Sequence, residues 1–172
     1  MKTLLLGGVK SGKSREAERL AAESGLPVTV IATADALDRE MSERIKQHKT
    51  QRNQNWHVIE EPIALGHAVS QLADDHCVIV DCLTLWLTNL LLAEDEALFQ
   101  QEKERFEQAL QHSDSRLLIV SNETNMGVTP MGELSRRYCD EVGLLHQSVA
   151  ALSDEVTLVI AGLCHPLKIR HT

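Results

Sequence analysis

Short apolar runs alternate with amphipathic stretches along the whole chain. Residues 2–6, 28–33, 56–60, 77–81, 117–121 and 155–162 are short, mostly apolar and rich in β-branched side chains. Such runs predict strands, most of them buried on both faces of a sheet. Between them apolar residues return every three or four positions, the spacing of one helix face. Residues 15–24 place Ala17, Leu20, Ala21 and Ser24 together, with Gly25 as the stop and Pro27 beyond. Residues 35–49 align Leu37, Met41, Ile45 and His48, and residues 62–73 align Leu65, Ala68, Val69 and Leu72 behind Pro62. Residues 83–92 are apolar nearly all round, as in a buried or interface helix. Residues 94–111 turn Leu98, Phe99, Phe106 and Leu110 inward and leave a charged face to water. Residues 132–153 carry Leu134, Tyr138, Val142, Leu145, Val149 and Leu152 at the helical period, weakened locally by Gly143. The tail from Cys164 to Thr172 reads as a loose surface end. This order predicts one α/β domain over 1–172, a parallel sheet with helices on both faces.

The junction of the first strand and first helix carries the most specific chemistry. Gly7-Gly8-Val9-Lys10-Ser11-Gly12-Lys13-Ser14 spells G-x-x-x-x-G-K-S, the phosphate-binding P-loop. Glycines let successive N–H groups close around phosphate oxygens, and the following helix aims its positive end at the same anion. Lys13 reaches the β/γ-phosphates and the Ser14 hydroxyl ligates Mg²⁺ in such loops. Cys77-Val78-Ile79-Val80-Asp81 is a buried-strand pattern ending in an acid, which places a carboxylate beside the phosphates to hold Mg²⁺ directly or through water. The motif establishes nucleotide binding but names no reaction.

Composition narrows the partners. The formal charge is −8 and only 3% of residues are aromatic, against a nucleic-acid surface or an anionic membrane. No apolar run approaches the roughly 20 residues of a membrane span. The start runs straight into a strand without a signal pattern, and Cys77, Cys82, Cys139 and Cys164 form no C-x-x-C pair. A cytoplasmic protein with free, buried thiols is expected.

Three further positions stay open on pattern alone. His48 is either a partly buried core histidine or an imidazole presented to a ligand. Trp56 is either core or a cover over a ligand, and Glu60 either a solvated charge or a contact. The loop after residue 121, with Asn122, Glu123, Met126 and Gly127, sits at a strand's C-terminal end and is a candidate substrate loop or a plain connection.

The P-loop, Ile31-Ala32-Thr33, Glu40-Met41, Arg44-Ile45, His48, Arg52, Trp56 and Glu60-Glu61-Pro62 occur in a telling order. They are followed by Asp81-Cys82-Leu83-Thr84-Leu85-Trp86-Leu87-Thr88-Asn89-Leu90-Leu91 and by Asn122-Glu123, Met126-Gly127 and Pro130. Over essentially its full length the chain resembles bifunctional adenosylcobinamide kinase/adenosylcobinamide-phosphate guanylyltransferases of cobalamin biosynthesis. That resemblance implies a RecA-like P-loop NTPase fold and a homotrimer. It implies phosphorylation of adenosylcobinamide by ATP or GTP, then transfer of GMP from GTP to the phosphate with release of pyrophosphate. It also implies a guanylylated histidine at His48. GTP contacts then fall on Gly7 to Ser14, Ile31, Ala32, Thr33, Lys49, Thr50, Gln51, Arg52, Glu60 and Asp81. One departure stands out: Thr124-Asn125 replace the Val-Gly usual in the family's loop, and Asn125 is a residue that accepts left-handed backbone. No kinase base stands out, Asp81 being a weak candidate. A monofunctional P-loop kinase with a structural His48 is the alternative. A GTPase switch would need an Asn-Lys-x-Asp guanine-reading segment, which is missing.

Overall fold

The computed structural model describes residues 1–34 and 55–169. The expected helix over 35–49 and its His48, together with Lys49, Thr50, Gln51 and Arg52, lie outside the described residues.

Among the described residues seven strands form one sheet: β1 (Lys2–Gly7), β2 (Val28–Ala32), β3 (His57–Glu60), β4 (Cys77–Asp81), β5 (Arg116–Asn122), β6 (Glu155–Ile160) and β7 (Leu163–Lys168). Their spatial order is β3-β2-β4-β5-β1-β6-β7, and every pairing is parallel except β6 with β7. The central strands are apolar on both faces because both are covered. On one face α1 (Lys13–Glu23) lays Ala17 and Ala21 on Leu5, Val30, Ile79, Leu118 and Val120. On the other, α2 (Leu65–Ser70), α3 (Leu83–Leu92), α4 (Glu96–His112) and α5 (Glu133–Leu152) bury the larger core. Trp86 and Phe106 meet there at 5.1 Å between ring centroids, tilted by 58°. This is a RecA-like P-loop NTPase architecture, with β5 between the P-loop strand β1 and the acidic strand β4.

Three expectations change. The described part of the tail, through residue 169, is not loose. Ala161 and Gly162 take φ of 52° and 79°, the left-handed pair of a tight hairpin, and reverse the chain into β7. All six β7 residues are exposed, and Pro166 is tolerated because β7 is an edge. Cys164 is accordingly exposed and Cys139 half-buried, so only Cys77 and Cys82 are buried thiols. The helix expected over 62–73 is shortened to α2. The Glu61 carboxylate accepts the N–H groups of Ile63 and Ala64, while the Pro62 and Ile63 carbonyls accept side-chain donors from Asn89 and Trp86 on α3. Those carbonyls point to α3 and cannot join a helical ladder.

α2 also passes very close to α4. A Cβ on Gly66 would lie 2.6 Å from the Arg105 carbonyl carbon and the Phe106 nitrogen. Both are backbone atoms that cannot swing aside. Gly66→Ala is therefore expected to lower stability by about 1–3 kcal/mol through overpacking, read as a fall in the urea midpoint at unchanged slope.

Candidate functional site

β1 to β5 are mutually parallel, so their C-terminal ends open onto one edge of the sheet, where open α/β sheets bind ligands. The register aligns Gly7 with Asn122, and Ala32 with both Glu60 and Asp81. Gly7, Ala32, Glu60, Asp81 and Asn122 thus lie along one rim.

The P-loop leaves β1 at that rim. Lys10 and Gly12 have φ of 56° and 106°, so the loop turns through left-handed backbone before α1 begins at Lys13. A Cβ on Gly7 would stand 2.2 Å from the Val159 carbonyl oxygen, so only glycine fits there. The Ser11 N–H donates to Gly8 O at 3.2 Å, and Gly162 N–H, from the β6–β7 turn, donates to Ser11 O at 2.8 Å. The hairpin missed in the sequence therefore braces the loop. Lys13 is only 6% exposed, and its Nζ donates to Gly8 O at 2.7 Å. Burial lowers its pKa below the usual lysine value, and the negative Asp81 carboxylate opposes that shift. Ser14 is half-buried on the first turn of α1. The Ser11 hydroxyl is buried with no hydrogen-bond partner among the described residues, which suits a loop that cradles an anion.

The β4–α3 junction is tightly stitched. The Thr33 hydroxyl donates to Cys82 O at 2.7 Å and accepts the Cys82 N–H at 2.9 Å. Asn89 donates to Thr33 O at 2.8 Å. Thr33 thus contributes to the rim by fixing where β4 ends, and its own side chain is committed. Burial pushes the Cys82 thiol above its ordinary pKa, so it stays a neutral neighbour of Asp81. Ile31 and Ala32 are buried in β2 and offer the rim their backbone only. Glu60 is exposed on β3, the outermost strand on that side. Val9 and Lys10 stand exposed at the loop tip. Trp56 is half-buried and packs against the α1-side core.

The candidate substrate loop begins against the P-loop itself. Glu123 N–H donates to Gly7 O at 3.0 Å, and Asn122 Nδ2 donates to Thr84 Oγ1 at 3.1 Å. Asn125 is not left-handed. Its N–H donates to the Glu123 carboxylate at 2.7 Å, and its Nδ2 donates to Cys139 O on α5 at 2.7 Å. The same Nδ2 lies 3.2 Å from where a Gly143 Cβ would sit. Gly143, which weakens the helix, lets the loop approach it. Beyond, Met126, Val128 and Met131 are largely exposed, as is Gly127. An apolar cavity of about 330 Å³ lies beside this stretch, lined by Leu91 and Leu92 of α3, Pro130, and Leu134, Tyr138 and Cys139 of α5.

One residue escaped the sequence reading. His146 is 8% exposed, and its Nε2 lies 2.7 Å from Ser121 Oγ at the end of β5. Its Nδ1 lies 3.6 Å from Glu123 Oε2. It sits four residues after Val142, on the buried face of α5, and that spacing was the available signal. No helix among the described residues is long and apolar enough to cross a membrane.

Comparison with known proteins adds chemistry to this geometry. Residues 3–168 match the family model of cobinamide kinase / cobinamide phosphate guanyltransferase. The bifunctional adenosylcobalamin biosynthesis protein CobP of Pseudomonas aeruginosa is 53% identical, the match covering 98% of each chain. CobU of Salmonella typhimurium, with the same description, is 34% identical over 95% of this chain and 97% of its own. Among solved structures, a Pyrococcus horikoshii OT3 protein superimposes with a TM-score of 0.59 at 13% identity, covering 98% of this chain and 86% of its own. The RadB recombinase does so with 0.52 at 14% identity, over 91% and 72%.

Proposed function

The chain belongs to the cobinamide kinase / cobinamide phosphate guanyltransferase family, and on that footing we propose that one P-loop serves two successive reactions at its rim. In the first, ATP or GTP phosphorylates the hydroxyl of adenosylcobinamide. In the second, GMP passes from GTP to adenosylcobinamide phosphate, giving adenosylcobinamide-GDP and pyrophosphate. The observation that carries this is the contact of Glu123 N–H with Gly7 O, which seats the candidate acceptor loop directly on the phosphate-binding loop. That contact supports a reading in which acceptor and triphosphate meet in one place, as group transfer requires.

Each group has a task that follows from its chemistry. The P-loop amides and Lys13 grip the triphosphate tail and stabilise the charge that develops on the leaving group. Ser14 and Asp81 offer hard oxygen donors beside Lys13 and fit Mg²⁺. Mg²⁺ held there would neutralise charge on the phosphates. His48 supplies the nucleophile for the second reaction. Its neutral imidazole, with an unperturbed pKa of ~6.5, forms an N–P bond to the α-phosphorus as the bond to pyrophosphate breaks. The phosphate oxygen of the acceptor then displaces the imidazole. Lys49 to Arg52, Glu60 and the Ile31–Thr33 segment complete the nucleotide contacts, with Met126 and Gly127 on the acceptor side. The enzyme works in the cytoplasm as a homotrimer, a state favoured by the exposed Leu163, Leu167 and Ile169 at the β7 edge.

A direct product assay tests the activity. Adenosylcobinamide with ATP and Mg²⁺ should yield the phosphate, and adding GTP should convert it to the GDP derivative with pyrophosphate release. Phosphorylation without any GDP derivative would leave a monofunctional kinase.

A further inference from the structure

We propose that His146 is a positioning residue for the acceptor: its buried imidazole ties Glu123, and with it the 122–127 loop, to the end of β5 and to α5. The inference rests on taking that loop as the acceptor loop. Hydrogen-bond inventory orders the cluster. A carboxylate only accepts, so the Nδ1 facing Glu123 at 3.6 Å carries the proton. Nε2 is then the acceptor, and Ser121 donates its hydroxyl proton to it over 2.7 Å. Burial lowers the His146 pKa, against the pull of Glu123, which keeps the ring neutral and this arrangement single at neutral pH. Ser121 is fully buried and cannot meet a substrate, so the cluster does not act as a nucleophile system.

What the cluster can do is fix Glu123. The two carboxylate oxygens face different anchors, Oε1 taking the Asn125 N–H and Oε2 facing His146, while the Glu123 N–H holds Gly7 O. Glu123 is therefore pinned from three directions: its own loop, α5 and the P-loop. The tie to α5 runs through the His146 side chain, beside a second bond from the same loop, Asn125 Nδ2 to Cys139 O. Loss of the His146 tie would release Oε2, leaving the Glu123 carboxylate held by Asn125 alone, without disturbing the P-loop's own bonds, so the acceptor should suffer and the nucleotide should not.

Two replacements separate positioning from mere packing. In H146Q the amide sits where Nε2 was and keeps the Ser121 contact, but nothing faces Glu123. In H146N the amide sits where Nδ1 was and restores a donor to Glu123. In the kinase half-reaction, H146Q should raise KM for adenosylcobinamide severalfold, up to about tenfold, because the N–H and the carboxylate at 3.6 Å are longer than a hydrogen bond and act on each other electrostatically. KM for ATP should not change. H146N should recover most of the loss. A carboxylate without its charge should behave like H146Q, so E123Q should raise the same KM, and E123Q in the H146Q background should add little. Equal acceptor KM values in wild type, H146Q and H146N would overturn the role of His146, as would parallel losses of kcat and melting temperature in both without a KM change. If E123Q itself leaves the acceptor KM unaltered, the loop does not hold the acceptor. If E123Q raises it and H146Q does not, His146 alone is excluded. Should H146Q not fold, H146N and E123Q still decide: a soluble H146N with a severalfold raised acceptor KM contradicts the donor at Nδ1.

Discussion

Lys13→Ala should lower kcat/KM of the kinase and guanylyltransferase reactions together, each by about 10²–10³-fold. Lys13 is the one cation buried in the P-loop, and its ammonium already points at the loop carbonyl of Gly8 from 2.7 Å. In the proposed mechanism both reactions break a bond in a triphosphate gripped by this one loop, so both need this ammonium to neutralise the charge that develops. The fold should not suffer. A lysine at the mouth of a loop bears a desolvation cost, seen in the direction of its pKa, and alanine removes that cost with the charge. A melting temperature unchanged beside two crippled reactions is the expected pair of results. Loss of one reaction with the other spared would mean two triphosphate sites.

Much of this layout is legible in the residues because burial on both faces forces a strand to be apolar throughout. β1, β2, β4 and β5 are such strands, and each ends within a residue or two of where its apolar run ends. The P-loop is legible for a different reason: its glycines answer to steric needs that no other residue meets, as the 2.2 Å clash at Gly7 illustrates. β7 is hard to read because its apolar Leu163 and Leu167 are exposed in the single chain and mix with His165 and Pro166, and its existence depends on a two-residue turn at Ala161-Gly162. The shortening of α2 hides in long-range bonds from Trp86 and Asn89, residues more than twenty positions away. His146 escapes because a polar residue on an apolar helix face gives the same pattern whether it is a bystander or a tether. Its neighbours in space, Ser121 and Glu123, are 25 and 23 positions distant. Asn125 shows the reverse. Its type suggests backbone freedom, yet its side chain spans to Cys139 and its backbone stays right-handed or extended.

His48→Ala should abolish guanylyl transfer, by about 10⁴-fold or more as for other covalent nucleophiles, and leave phosphorylation of adenosylcobinamide working. The asymmetry follows from the proposed mechanism. In it a covalent phosphoramidate is needed only where GMP is handed on, and the kinase step passes its phosphoryl group straight to the acceptor hydroxyl. Lys13→Ala and His48→Ala thus make a diagnostic pair, the first striking both activities and the second only one.

The most direct measurement is the covalent intermediate itself. The protein is incubated with GTP labelled at the α-phosphate and Mg²⁺, denatured, and assayed for bound label. The account predicts label that is acid-labile and base-stable, as a phosphoramidate is, present on the wild type and missing from His48→Ala. Label that persists in His48→Ala, or none on an active wild-type enzyme, would contradict it.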